Sequence, residues 1–169
     1  MQMKHHGSSQ SGITGSAVTE LTGSGTFQNL VDAFTRESQI LSRYHLFART
    51  AEYEGFSEVA DLFKKLEQNQ VVYIQGHLDF LRTACDPISG LPFCQTSENL
   101  AAAIAAEQEQ ATAAYPAFSC VAETEGFATI SSWFQTLVRS KAEATSRIQA
   151  ALEKLVKVMP QEDQGNGSI

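Results

Sequence analysis

Thiols and matched carboxylates are the residues of this sequence whose types and spacing could do chemistry. Cys85 and Cys94 flank the run Asp86-Pro87-Ile88-Ser89-Gly90-Leu91-Pro92, and Cys120 stands apart. Oxidised to each other, Cys85 and Cys94 would close a ten-residue segment, worth roughly 2.5–3 kcal/mol in chain entropy. The pair could then serve as a thiol switch. The plainer reading is two thiols held reduced, because an odd cysteine count suits a reducing compartment better than a disulfide framework. No Cys-x-x-Cys pair occurs, so these thiols build neither a zinc ribbon nor a rubredoxin-like iron centre within the chain. Cys120 reads as a small core residue. His5 and His6 could bind metal weakly, and the reading with most weight gives them no function.

The carboxylates are matched through an internal repeat, which is the first organisation to look for in a sequence. Asn29-Leu30 corresponds to Asn99-Leu100 and Glu37 to Glu107, at an offset of 70. Tyr44-x-x-Phe47 corresponds to Tyr115-x-x-Phe118 at an offset of 71, as does Ala51-Glu52-Tyr53-Glu54-Gly55-Phe56 to Ala122-Glu123-Thr124-Glu125-Gly126-Phe127, and Phe63 to Phe134. The chain is therefore two copies of a helix-turn-helix hairpin. The second copy carries one extra residue between Glu107 and Tyr115. One residue inserted into a continuous helix is most simply absorbed as a π-bulge, a feature frequent at functional sites.

The elements that position these residues follow from periodicity. Leu30, Phe34, Leu41, Tyr44 and Ala48 recur at helical spacing over 27–53, and Gly55 ends that helix. A second helix is expected over 57–82, with Val59, Leu62, Phe63, Leu66 and Tyr73 on its apolar side. A third is expected over 97–123, with Thr96 or Ser97 as N-cap, Glu98 in the first turn and Gly126 beyond its end. A fourth covers 128–158, with Ile130, Phe134, Leu137, Ile148, Leu152 and Leu155. Proline and glycine forbid helix in the linker between the second and third, which is expected to cross the length of a bundle. Residues 1–25, rich in Gly, Ser and Thr, read as a disordered tail, and 159–169 as a flexible C-terminal tail in which Pro160 helps stop the last helix.

Composition narrows the class of partner. Of 169 residues, 43% are hydrophobic and 18% charged, enough for one domain with a real core. The formal net charge of -7 argues against nucleic acid, which needs a basic face. No apolar run of 18 residues occurs, and the N-terminus lacks the hydrophobic stretch of a secretory signal. The expectation is a cytoplasmic protein that does not engage a membrane.

On these residues the chain resembles rubrerythrins, across about 26–158. The stretch NLVDAFTRESQILSRYHLFARTAEYEGF, with its Glu-Ser-Gln and Arg-Tyr-x-x-Phe-Ala features, looks like that family's opening helix. The linker DPISGLP is similar to its Asp-Pro-x-Thr-Gly-x-Pro crossover, and ENLAAAIAAEQEQATAAYPAFSCVAETEGF is similar to its third helix over the whole length. The resemblance implies an all-α, ferritin-like four-helix bundle, two repeated hairpins joined by a long crossover linker, in a family whose usual work is peroxide reduction at a di-iron centre. It also implies self-association as a homodimer. The rubredoxin-like domain common in the family is not expected here.

The resemblance also fixes where metal ligands would stand. Such bundles supply one Glu from each of two helices and Glu-x-x-His from each of the other two, with anionic oxygens and imidazoles facing inward around two hard cations. Glu37 and Glu107 occupy the single-Glu positions. The second helix reads Gln70-Val71-Val72-Tyr73 where Glu-x-x-His is expected, and the fourth reads Lys141-Ala142-Glu143-Ala144. The family's further Glu on the third helix is Gln110 here. His77, one turn beyond Tyr73, matches a non-ligand position, and His45, two turns from Glu37, could face the core only in part. If metal were held, Glu37 and Glu107 would hold it.

Lys141 is the most informative of these residues. An unpaired buried ammonium is very costly, and the carboxylates left to pair with it are Glu37 and Glu107. Gln70, Tyr73 and Gln110 would complete the hydrogen bonding of a polar core at the former metal site. The competing reading sends Lys141 out to solvent along its alkyl stem. Tyr73 could be a redox-active phenol beside a surviving metal, but inward tyrosines are more often core.

Three classes of function follow. The first, and favoured, is a structural or interaction protein with a Lys-Glu core, no cofactor and no readable protein partner. The second is a divergent iron oxidoreductase of peroxidase or oxidase type in oxidative-stress defence, using Glu37 and Glu107 with the amides of Gln70 and Gln110. The third is a thiol-based redox protein using Cys85 and Cys94. Lys141 argues against the second, since a unit charge pair at about 4 Å and effective dielectric of about 20 repels by about 4 kcal/mol, and a divalent ion doubles that.

Overall fold

In the computed structural model, residues 21–158 are described; of the expected tails 1–25 and 159–169, residues 1–20 and 159–169, with His5, His6 and Pro160, lie outside them, whereas 21–25 are described, with Ser24 capping a helix that begins at Gly25. The described residues contain helix and connecting turns and no strand, the all-α class that the periodicity predicts. The elements are α1 (Gly25–Tyr53), α2 (Ser57–Leu81), α3 (Thr96–Glu109), a π-helical turn (Gln110–Ala114), α4 (Tyr115–Thr124) and α5 (Ala128–Val158). They divide into two compact units at Ala84 and Cys85, each a helical hairpin of the ferritin-like kind. In the first unit α1 packs on α2; in the second, α3, the π turn and α4 pack along α5.

The two hairpin turns are built the same way. Gly55 and Gly126 sit in the left-handed region, at φ of 85° and 84°, where an L side chain is strained and glycine is not. At the first turn the Gly55 N–H donates to Glu52 O (3.1 Å) and the Phe56 N–H to Ala51 O (2.8 Å). At the second, Gly126 N–H donates to Glu123 O (3.1 Å) and Phe127 N–H to Ala122 O (2.7 Å). Both are the paired backbone bonds that close a helix C-terminus with glycine just past its end.

Small residues close the seam of each hairpin. Ala48, Ala51 and Ala60 are buried in the first, and Ser119, Ala122 and Ser131 are buried in the second. Shifted by 71, these are the same positions. Side chains this small let the helix axes approach closely, so Val59, Leu62 and Tyr73, expected on the apolar side of α2, flank the seam and stay partly exposed. The aromatic packing repeats as well. Tyr44 and Phe47 lie 5.9 and 5.4 Å from Phe63, and Tyr115 and Phe118 lie 6.0 and 5.7 Å from Phe134.

Where the first hairpin meets alanine on alanine, the second makes a hydrogen bond: Ser119 Oγ and Ser131 Oγ are 2.9 Å apart and buried. Ser119 Oγ also reaches Ser131 O at 3.3 Å, so it is removal of the Ser119 hydroxyl that leaves the Ser131 hydroxyl without this partner, which costs about 1 kcal/mol. Ser119→Ala alone is therefore expected to lower the melting temperature more than the Ser119→Ala/Ser131→Ala pair, which recreates the first hairpin's seam. Thermal unfolding of wild type and the two variants checks this.

The third helix starts one residue earlier than its sequence suggests, and the N-cap is Gln95 rather than Thr96 or Ser97. The reason is Glu98, whose Oε2 reaches back to accept from the N–H groups of Cys94 (2.9 Å) and Gln95 (3.0 Å). These backbone bonds hold the Glu98 carboxyl below its ordinary pKa of 4.5. A carboxylate with a lowered folded-state pKa stabilises above the unfolded value and loses that contribution as pH falls through the folded one. The stability gap between wild type and Glu98→Gln is thus expected to be full at pH 7 and to close below about pH 4.5, as thermal unfolding across pH would show.

Between the hairpins, Asp86 organises the linker. Its N–H donates to Leu91 O (2.7 Å) and its O accepts from Gly90 N–H (2.9 Å). Its carboxylate accepts from the Ser89 N–H (2.7 Å) and hydroxyl (2.6 Å). Gly90, at φ of 71°, supplies the left-handed step. No described helix is long and apolar enough to cross a membrane.

Candidate functional site

The positions singled out in the sequence fall into two sets. Glu37, Gln70 and Tyr73 belong to the first hairpin, and Glu107, Gln110 and Lys141 to the second. Each set is described in its own hairpin.

In the second hairpin, α3 carries Glu107 one turn before the π segment and α5 carries Lys141 opposite it. The Lys141 Nζ donates to Glu107 Oε1 at 2.9 Å. Their side chains are 26% and 23% exposed, so the pair is largely withdrawn from water yet not sealed. The long stem of Lys141 runs to the carboxylate and not away from it. Gln110, partly buried, is the first residue of the π turn. That turn lies between Glu107 and Tyr115, where the one-residue insertion of the second repeat requires it. The widened turn takes up the extra residue, so Glu107 and Tyr115 both keep the faces that Glu37 and Tyr44 have in the first repeat. Ala144, one turn after Lys141, presents only a methyl group.

In the first hairpin, Gln70 stands at the position equivalent to Lys141. It is 91% withdrawn from solvent, and its Oε1 has no hydrogen-bond partner among the described residues. Glu37 is partly buried, and Tyr73 is 51% exposed. The histidines make no ligand set either. His45 is exposed, and its Nδ1 lies 3.1 Å from Glu67 Oε1, an α1–α2 contact at the surface.

The thiols differ from one another. Cys85 is half-buried, and burial with the neighbouring Asp86 charge pushes its thiol pKa up. A raised pKa keeps Cys85 in the protonated form, which is weak in thiol exchange. Cys94 is exposed beside the linker turn. Cys120, expected in the core, is exposed: the inward positions of α4 are Ser119 and Ala122, three residues apart, and Cys120 is turned away from that stripe.

A di-iron centre asks for anionic oxygens and imidazoles converging on two cations. The donors here do not fit it. Glu107 is already bonded to an ammonium, the Lys141 position offers a cation instead of a carboxylate, and Ala144 offers nothing. Gln70 supplies a neutral amide. Among the described residues no group of three or more His, Cys, Asp or Glu side chains is placed to hold a metal ion.

Residues that sequence reasoning missed are the Ser119–Ser131 pair, the double cap by Glu98 and the His45–Glu67 contact. The first was legible in principle, since Ser119 and Ser131 are the offset-71 counterparts of Ala48 and Ala60.

No established family profile matches the chain. A rubrerythrin of Porphyromonas gingivalis is 36% identical over 138 residues, 78% of this chain and 68% of that protein. Rubrerythrin-1 of Clostridium acetobutylicum is 31% identical over 143 residues, 80% of this chain and 73% of that protein. A rubrerythrin of Nitratidesulfovibrio vulgaris is 30% identical over 121 residues, 69% of this chain and 63% of that protein. With the duplicated hairpin, the matching turns and identity at this level over most of both sequences, the chain belongs to the rubrerythrin family.

Proposed function

We propose that this chain is a rubrerythrin-family protein that has given up di-iron chemistry and serves as a metal-free structural or interaction protein. The observation that carries this reading is the identity of the residues at the ligand positions: Gln70 and Tyr73 in one hairpin, Gln110, Lys141 and Ala144 in the other. Di-iron bundles of this kind hold their cations with carboxylates and imidazoles, and five of the seven positions now supply neither. A thiol-based role is less well supported, because burial and the Asp86 charge push the Cys85 pKa up and disfavour the reactive thiolate. A single assay tests the proposal. The purified chain, incubated anaerobically with ferrous iron and then given hydrogen peroxide, is expected to consume peroxide no faster than the same amount of free iron. Saturable turnover proportional to protein concentration would return the chain to the oxidoreductases.

A further inference from the structure

We infer that Lys141 is a resident cation: its ammonium holds Glu107 in place of a metal ion and keeps divalent cations out of the second hairpin. The inference rests on the metal-free reading above and deepens it by naming the group responsible.

Three observations support it. The Nζ–Oε1 distance of 2.9 Å is that of a charge-assisted hydrogen bond, so an oxygen that could ligate a cation is already engaged. Both side chains keep only about a quarter of their exposure, where the attraction between them is screened less than at a free surface. Finally, the repeat supplies an internal comparison. The offset that aligns the hairpins places Gln70 where the second hairpin has Lys141, and Gln70 is buried with a carbonyl oxygen that has no hydrogen-bond partner among the described residues. A neutral amide suffices at one copy of this position, and a full positive charge, bonded to a carboxylate, occupies the other. A divalent ion approaching Glu107 would have to displace the ammonium from it and then remain near that ammonium, which repels it at every distance. Replacing Lys141 by an oxygen-bearing side chain reverses both effects, since the new group is itself a ligand and leaves Glu107 open.

Manganese(II) is a suitable probe, because it prefers oxygen ligands and its free aqua ion is counted directly by electron paramagnetic resonance. Full-length wild type, Lys141→Glu and Lys141→Gln are titrated, with circular dichroism confirming helix content. The expected result is binding at least about tenfold tighter in Lys141→Glu than in wild type, a smaller gain in Lys141→Gln, and loss of the gain when Glu107→Gln is added. Lys141→Gln keeps the test decisive if the charge reversal prevents folding. Equal manganese affinity in wild type and a folded Lys141 variant would overturn the inference, as would a gain that survives Glu107→Gln. Neither outcome touches the metal-free reading itself, which stands or falls on peroxide turnover by the wild-type chain.

Discussion

Lys141→Met is expected to lower stability by about 1–3 kcal/mol, while Lys141→Met/Glu107→Gln together cost far less than the sum of the two single changes. Removing the ammonium leaves the Glu107 carboxylate in a site where only 23% of its side chain meets solvent. Breaking one partner of a fully buried pair costs about 3–5 kcal/mol, and an exposed pair is worth about 0–1 kcal/mol. The partial exposure of both groups places this pair between those limits. For a chain of this length each kcal/mol moves the melting temperature by about 2–4 °C. The non-additivity is the diagnostic part, because a lysine that merely covered apolar surface with its stem would give additive losses. A double-mutant cycle read by chemical denaturation measures the coupling directly.

Leu81→Ala is expected to have a larger effect, about 2–4 kcal/mol. Leu81 is the one large side chain with essentially no exposure among the described residues, at 0%. The other core positions are alanines that have little to lose. Truncating Leu81 removes buried methyl groups and leaves a cavity, and both terms add. Leu81→Met, which conserves volume, should cost less than about 1.5 kcal/mol. Equal midpoints for wild type and Leu81→Ala in urea unfolding would show that Leu81 lies outside the cooperative core.

Much of this molecule is legible from the sequence because it is written twice. Gly55 and Gly126 mark the same left-handed step, and the aromatic triplets around Phe63 and Phe134 recur at the same offset, so hairpin boundaries follow without long-range information. The π turn is legible for the same reason, as one surplus residue between two anchored positions has few places to go. Charge alone says that an ammonium on an inward face needs a carboxylate and leaves Glu37 and Glu107 as candidates; the structure pairs Lys141 with Glu107.

What the sequence hides is decided by neighbours. Gln95 becomes the N-cap only because Glu98 bends back to two amides, a choice that the favoured cap residues Thr96 and Ser97 obscure. Cys120 misleads because its residue type favours burial, while the stripe through Ser119 and Ala122 is set by how α4 meets α5. The exposure of Val59, Leu62 and Tyr73 reflects a seam built from alanine, which periodicity alone cannot separate from one built from larger side chains.

On the function proposed above, the Lys141 ammonium stands where the resemblance leads one to expect a metal ion. Elemental analysis of the chain purified from cells grown with added iron addresses it most directly. The wild-type protein is expected to carry no stoichiometric iron. A pair of irons per chain, accompanied by a visible absorption band that changes on adding peroxide, would contradict it.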